Sequence, residues 1–391
     1  MTNLLQNLKR RTPLGWLQLS RERSRLLVAL SGIAFADVLM FMQLGFQGAL
    51  YDSNTRTGRS LDADIVLVSP KARSLQNLST FSRRRLYQAS DIPGVRSAEG
   101  LYINTIAWKN PQTRQETTIQ LIGINPDQPA FTLPEVNQQL EKIKIPDTVI
   151  FDRTARGQYE EVIAQIDQGN GVTTEAERRT ITIAGLFTLG ASFGADANLI
   201  TSDQNFLRLF PRREASSVSL GIVRLQPGYD PDQVTNAMRS HLPDDTKVMT
   251  HKEFIAFEES YWKNESPIGF IFGLGTAMAF VVGVVIVYQV LSTDVNAHMK
   301  EYATFKAMGY RNAYLLGVVF EEALILAFLG FIPGLLLPIG LYQMAAKATA
   351  LPLFMTLTRA IMVLILTIIM CGISGAIATR KLQSADPADM F

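Results

Sequence analysis

Long stretches of this chain carry no charged side chain, and that constrains the fold more than any other feature of the sequence. Ser266–Thr293 reads SPIGFIFGLGTAMAFVVGVVIVYQVLST, Ala323–Ala346 is a second such run, and a third follows Arg359 and continues to Thr379. Each has roughly the 20 apolar residues a helix needs to cross a hydrocarbon core about 30 Å thick. Leu26–Tyr51 is apolar apart from Asp37 and a few amides and hydroxyls. A cleaved signal peptide is the rival reading of that segment, because basic residues precede it. The apolar run is too long for a signal core, and no small-x-small site clearly closes it, so an uncleaved span fits better. The hydrophobic fraction of 47% is ordinary; its distribution is what decides.

Charges flanking the apolar runs predict an orientation. Lys9, Arg10, Arg11, Arg21, Arg23 and Arg25 precede the first run, opposed by Glu22. Lys300, Lys306 and Arg311 lie between the second and third, and Arg380-Lys381 follow the fourth. Glu253, Glu258, Glu259 and Glu265 outnumber Lys252 and Lys263 before the second. The positive-inside rule then puts both termini and residues 294–311 in the cytoplasm and residues 52–265 outside. The expected divisions are 1–25, 26–51 (first span), 52–265 (extracytoplasmic domain), 266–293 (second span), 294–311 (cytoplasmic helix), 312–343 (third span), 344–353 (short outer loop), 354–379 (fourth span) and 380–391 (cytoplasmic tail). The net charge of +2 describes no nucleic-acid surface, and the basic N-terminal cluster suits orientation and anionic headgroups. Cys371 is the sole cysteine and falls in an apolar run, so the outer domain must rest on its core.

That outer domain reads as mixed α/β. Ala63–Ser69, Ile119–Ile124, Arg179–Phe187 and Val218–Leu225 are short and rich in β-branched or apolar residues, as strands are. A helix is expected from Asp230, with Pro231 at its first position, Gln233 completing a capping box and Pro243 closing it. Ser82–Ala89 and His251–Tyr261 are further helix candidates. Residues 125–147 hold Pro126, Pro129, Pro134 and Pro146, which predicts loop with short helices at most. Gln165–Glu177 is polar and predicts an exposed excursion between strands.

Catalytic constellations are weak. Of the histidines His241, His251 and His298, the last lies across the membrane from the others in this topology, which rules out a three-histidine metal site; two histidines with carboxylates stay open. Ser260, His251 and Asp244 supply the residue types of a hydrolase triad without a nucleophile elbow. No Walker A pattern occurs, so ATP hydrolysis in this chain is not expected and any energy must come from another subunit. Asp37 is the most unusual residue of the spans, costing roughly 2.5–3.5 kcal/mol at that depth unless paired. Interface glue, with Gln43, Gln289 or a hydroxyl, competes with a polar path between helices. Glu321-Glu322 opens the third run near the expected headgroup level. Gly330 and Gly334 form a G-x-x-x-G close-packing pattern, and Pro333 and Pro338 should bend that helix.

Two regions carry a family resemblance. Trp16-Leu-Gln-Leu-Ser-Arg-Glu-Arg-Ser-Arg25 with LLVALSGIAFADVLMF, and Lys300-Glu-Tyr-Ala-Thr-Phe-Lys-Ala-Met-Gly309 with YRNAYLLGVVFEEALILAFLGFIPG, resemble the FtsX/MacB-like permeases. The matching positions include Glu301, Lys306, Gly309, Glu322, Gly330 and Gly334. The resemblance implies four transmembrane helices arranged 1+3, a large periplasmic α/β domain and an amphipathic cytoplasmic helix over residues 1–25. It also implies a coupling helix through which Glu301, Tyr302, Phe305, Lys306, Met308 and Gly309 meet an ATPase. Sequence texture is most similar to the DevC-like permeases of cyanobacterial exporters, which are associated with glycolipid export. It implies a homodimer in the inner membrane working with separate ABC ATPases that bind ATP and Mg, a periplasmic membrane-fusion adaptor and a TolC-like outer-membrane channel. Lipoprotein release is the rival within the family, control of cell-wall hydrolases a further one, and a receptor or scaffold without an ATPase the alternative from another class.

Overall fold

The computed structural model describes residues 23–379. The segment 1–22 of the expected N-terminal amphipathic helix and the expected tail 380–391 lie outside the described residues. Contacts divide the chain into two units. Among the described residues, one is helical and takes 23–47, 270–345 and 353–379; the other takes 48–269 and 346–352.

Among the described residues, four helices are long and apolar enough to cross a membrane. Helix α1 is Arg23–Arg59, and its first part belongs to the helical unit. After the α/β domain come α9 (Pro267–Ala297), the short α10 (Met299–Ala307), α11 (Asn312–Thr349) and α12 (Leu357–Ala378). Each long helix outruns or trims its expected bounds at the ends: α1 continues to Arg59 and α11 to Thr349, because backbone hydrogen bonding need not stop where apolar composition does. In the helical unit Ala29, Ile33 and Ala36 of α1 meet Val287 and Leu291, Ala323 and Leu326, and Met370 and Cys371 from the other three. Small and medium side chains at i, i+4 and i+7 on α1 form the inward stripe.

The α/β unit is built in the order β1 (Ile65–Val68), β2 (Phe81–Ser82), α2 (Arg84–Ser90), β3 (Val95–Lys109), β4 (Glu116–Ile124), α3 (Pro134–Asn137), α4 (Leu140–Ile143) and β5 (Thr148–Asp152). There follow α5 (Glu160–Asp167), β6 (Val172–Ala176), β7 (Arg179–Phe187), β8 (Asn198–Ser202), α6 (Asp203–Leu209), β9 (Ser217–Val218) and β10 (Leu220–Leu225). The unit closes with α7 (Pro231–His241), β11 (Lys247–Thr250) and α8 (His251–Ser260), which runs into a π turn over Tyr261–Glu265.

Nine strands form one sheet in the order β11-β1-β10-β3-β4-β8-β5-β7-β6. The long strand β3 organises it. Its first half pairs antiparallel with β10 and its second half antiparallel with β4. Trp108 near its end pairs again with Ala176 of β6, so β3-β4-β8-β5-β7-β6 closes on itself. Strands β4 and β8 run parallel, as do β5 and β7.

The uninterrupted apolar run of β1 has a direct cause. Ile65 and Leu67 enter one core with Tyr102, Trp108, Phe151 and Phe206, while Val66 and Val68 enter the other with Ile122, Phe131 and Phe254. A sheet covered on both faces needs apolar residues at successive positions, not alternating ones.

Several expectations need correction. Gln165–Glu177 is no simple excursion: α5 ends at Asp167 and Val172–Ala176 is strand β6, pairing with β7. Its Thr and Glu residues fit because the strand is exposed on alternate positions. The Asp230 side chain does cap α7, but it accepts the N–H of Asp232 and not that of Gln233. A reciprocal capping box forms instead at α8, where Thr250 Oγ1 accepts the Glu253 N–H and Glu253 accepts the Thr250 N–H at 2.9 Å. Residues 125–147 do contain only short helices, α3 and α4.

Candidate functional site

In the α/β unit, the sequence-level catalytic candidates stay apart. His251 Nε2 stands 2.7 Å from the Gly58 carbonyl, and Ser260 lies nine positions along the same helix, roughly 13 Å away at 1.5 Å per residue. No nucleophile–base pair arises from these groups. Among the described residues no group of three His, Cys, Asp or Glu is placed to hold a metal ion.

The polar investment of this unit is structural. Asp152, at the end of β5, is fully buried. It accepts the N–H of Gly190 at 2.7 Å, those of Leu189 and Thr154, the Thr154 hydroxyl at 2.8 Å and Asn198 Nδ2 at 3.0 Å. Arg56 adds a bond to the Leu189 carbonyl at 2.7 Å. This network pins the loop between β7 and β8. Arg156 does the same one strand-end away, bonding Asp196, the Ser192 carbonyl and the Thr349 carbonyl. Glu258 on α8 is buried, and desolvation pushes its carboxyl up to about 8 against a bond from the Leu75 backbone.

In the helical unit Asp37 and the glycine pair come together. Asp37 is fully buried, and the Thr367 hydroxyl stands 2.6 Å from its Oδ1 and 2.8 Å from the Val363 carbonyl. A hydroxyl has one proton for these two acceptors. A Cβ built at Gly334 would lie 2.7 Å from Asp37 Cβ and 2.8 Å from its Oδ2. One at Gly330 would lie 2.7 Å from a methyl of Ile33. The two glycines, four apart on α11, thus receive Ile33 and Asp37, four apart on α1, which is the geometry close helix packing requires. Gln43 and Gln289, the amides considered as partners, are not the group that meets Asp37; Thr367 of α12 is. Pro333 and Pro338 lie inside α11.

The segment after α9 is a short helix on a packed base. Tyr302 is buried with Val295, Leu315 and Val319, and Met299, Phe305 and Tyr314 pack against that group. Phe305 meets Tyr310 edge-on at 5.6 Å and Tyr314 at 6.4 Å. Met308 lies one residue past the helix and is 60% exposed; Glu301 is exposed and Lys306 half-buried. Gly309 takes φ +90°, a conformation that costs a side chain, and its N–H bonds the Lys306 carbonyl, ending the helix. Met299, Tyr302, Phe305 and Met308, which recur every three residues, therefore do not form one outward face: Tyr302 is the foundation and Met308 the exposed edge. Glu322, which the sequence places near the headgroup level, is fully buried beside Asp294 of α9. Nothing in the spacing of Asp294 and Glu322 announces that meeting, since it depends on how α9 and α11 pack.

Residues 273–387 match the family of FtsX-like permease C-terminal domains. No curated protein matches the chain. Among solved structures, the periplasmic region of MacB from Actinobacillus actinomycetemcomitans is 13% identical, with a TM-score of 0.35 over 50% of this chain and 92% of its own. The extracellular domain of the noncanonic ABC-type transporter YknZ from Gram-positive bacteria is 14% identical, with a TM-score of 0.30 over 48% of this chain and 99% of its own. A domain of a putative permease protein from Porphyromonas gingivalis is 16% identical, with a TM-score of 0.29 over 48% and 88%. The matched stretch takes in α10, α11, α12 and most of α9, so the likeness to FtsX-like permease C-terminal domains falls on the helical part of the chain.

Proposed function

We propose that this chain is the membrane subunit of an ABC-type exporter, with ATP hydrolysed by a separate subunit and the work delivered to the α/β domain. The observation that carries the reading is the FtsX-like match over most of α9 and all of α10, α11 and α12, with α10 an exposed-edged helix on a packed base. A motor can push only on an element that does not yield. Tyr302, Phe305 and Tyr314 supply that stiffness for α10, and Glu301, Lys306 and Met308 stand at its accessible side.

In this reading α1, α9, α11 and α12 span the inner membrane, both termini and α10 are cytoplasmic, and the α/β domain is periplasmic. Two copies pair, ATP and Mg sit on the ATPase subunits, and an adaptor with a TolC-like channel completes the route. The substrate is an amphiphile of glycolipid type. The few polar side chains within the helices support this, since they outline no wet path for a hydrophilic solute. Lipoprotein release is the second reading.

Met308→Asp tests the coupling directly, because an exposed side chain outside the helix can change without disturbing the core. The purified ATPase should associate with the variant about tenfold or more weakly, as loss of an interface anchor does, while membrane insertion stays normal. Phe305→Asp should add a local packing defect to the same loss. Unchanged ATPase association and turnover in Met308→Asp would sink the proposal.

A further inference from the structure

The helical unit holds a cavity of about 290 Å³ lined by residues from α1, α9 and α11. Val28, Val290 and Leu326 give it apolar walls, and Asp294, Glu322 and Arg25 are charged groups on its lining. Glu322 is fully buried, yet neither of its carboxyl oxygens receives a hydrogen bond from a protein donor. Asp294 sits within hydrogen-bonding reach of it, is 7% exposed, and has an Oδ2 equally without such a bond. His298 Nδ1 approaches that oxygen only to 3.5 Å. Buried carboxylates left without donors are costly, and a chain that keeps two of them on one cavity wall has room there for a ligand that donates.

The wall chemistry narrows the ligand. A hard metal ion takes six or more oxygens, and the described residues offer no third metal-binding side chain. The volume corresponds to about ten water molecules at roughly 30 Å³ each, too much for a bare ion and suited to a cation carrying hydrocarbon. Val28 is 65% exposed, so the cavity borders the outer surface of α1, which faces lipid if the helix spans.

We propose that this cavity binds an alkylammonium group, with the N–H donors on Asp294 and Glu322 and the carbon chain along Val28, Val290 and Leu326. The ammonium comes either from an aminophospholipid headgroup entering sideways or from a free alkylamine. Neither source depends on the export reading, and binding is measured with no ATPase present.

The test is calorimetric titration of the full chain, in phosphatidylglycerol nanodiscs, with hexylammonium and with hexanol as the uncharged control. Saturable binding of the amine beyond that of the alcohol is expected. Glu322→Gln and Asp294→Asn should each weaken it at least about tenfold, as loss of one partner from a buried charge contact does. Val290→Phe fills the cavity and leaves both acids in place, so it should weaken binding even if an acid variant fails to fold. Repeating the titration in phosphatidylethanolamine discs separates the sources. A clearly weaker apparent affinity there means that the lipid headgroup competes for the site, and an equal affinity assigns the site to free amines. No saturable amine binding, as expected if the two acids merely share a proton, would overturn the proposal; so would binding unchanged in Glu322→Gln, Asp294→Asn and Val290→Phe.

Discussion

The α/β unit and the helical unit solve the same problem of a folded interior with opposite means. The α/β unit has two apolar cores on the faces of one sheet, and it holds its loops with buried polar networks such as that of Asp152. The helical unit has few polar groups and relies on close approach, with Gly330 and Gly334 seated against Ile33 and Asp37. The difference is the one expected if the helical unit sits in lipid and the α/β unit in water. In water, burying apolar area drives folding and loops must be tied down individually. In lipid, apolar side chains gain nothing by leaving the solvent, so helices associate through packing and a few interhelical hydrogen bonds.

This contrast can be broken at the polar hub first. Asp152→Ala would strand the N–H groups of Leu189 and Gly190 and the Asn198 amide in a buried site. A loss of about 3–5 kcal/mol is expected, the scale for breaking a buried charged network, read as a lowered unfolding midpoint of the full chain in denaturant. A midpoint within error of the parent would mean that the hub does not hold this unit.

Glu258 offers a pH readout. Its folded-state carboxyl lies near 8, above the value of 4.5 for a free one. The folded state therefore binds the proton more tightly, so the stabilisation is complete below about pH 4.5 and is lost as the pH rises through 8. Between pH 6 and pH 9 the loss should be on the order of 2 kcal/mol, seen as a falling melting temperature. Glu258→Gln should flatten that slope, and an equally steep slope in the variant would assign the pH dependence to another group.

For the helical unit, Gly334→Ala should cost about 1–3 kcal/mol, because the new methyl meets Asp37 in a packed interface. Gly340 of the same helix has nothing within 4 Å of a built Cβ, so Gly340→Ala should be nearly neutral. Equal thermal stabilities in detergent for the two variants would remove close packing from the account.

The smallest effect is at Asp37. Asp37→Leu loses the Thr367 contact and should cost about 1 kcal/mol, the usual worth of one hydrogen bond. Asp37→Asn should be milder, since an amide can donate to the Thr367 hydroxyl, which then serves the Val363 carbonyl. Indistinguishable melting curves for Asn and Leu would show that the bond is idle.

How legible each part was in the sequence follows from how local its cause is. The four apolar helices and the α7 cap could be read directly, as long apolar runs and the Asp230-Pro231 pair act along one helix or within a turn. Strand β3 could not, because its first half, Val95–Gly100, carries Arg96, Ser97 and Glu99 and is held by pairing with β10, far along the chain. Strand β6 was hidden in the same way by its exposed Thr and Glu. Of the candidate contact residues, Gly330, Gly334 and Asp37 were recognisable as unusual, but Ile33 and Thr367 were ordinary until packing placed them.

By itself the sequence determined where this chain can cross a lipid bilayer and that an α/β domain lies between the first and second apolar helices, since the hydrophobic requirement acts on every consecutive residue. Tertiary structure alone decided that β3 joins two parts of one sheet, that Thr367 meets Asp37, and that Asp294 and Glu322 share a cavity wall. Those pairings join residues tens to hundreds of positions apart, and no local preference records a meeting that exists only once the helices and strands have packed.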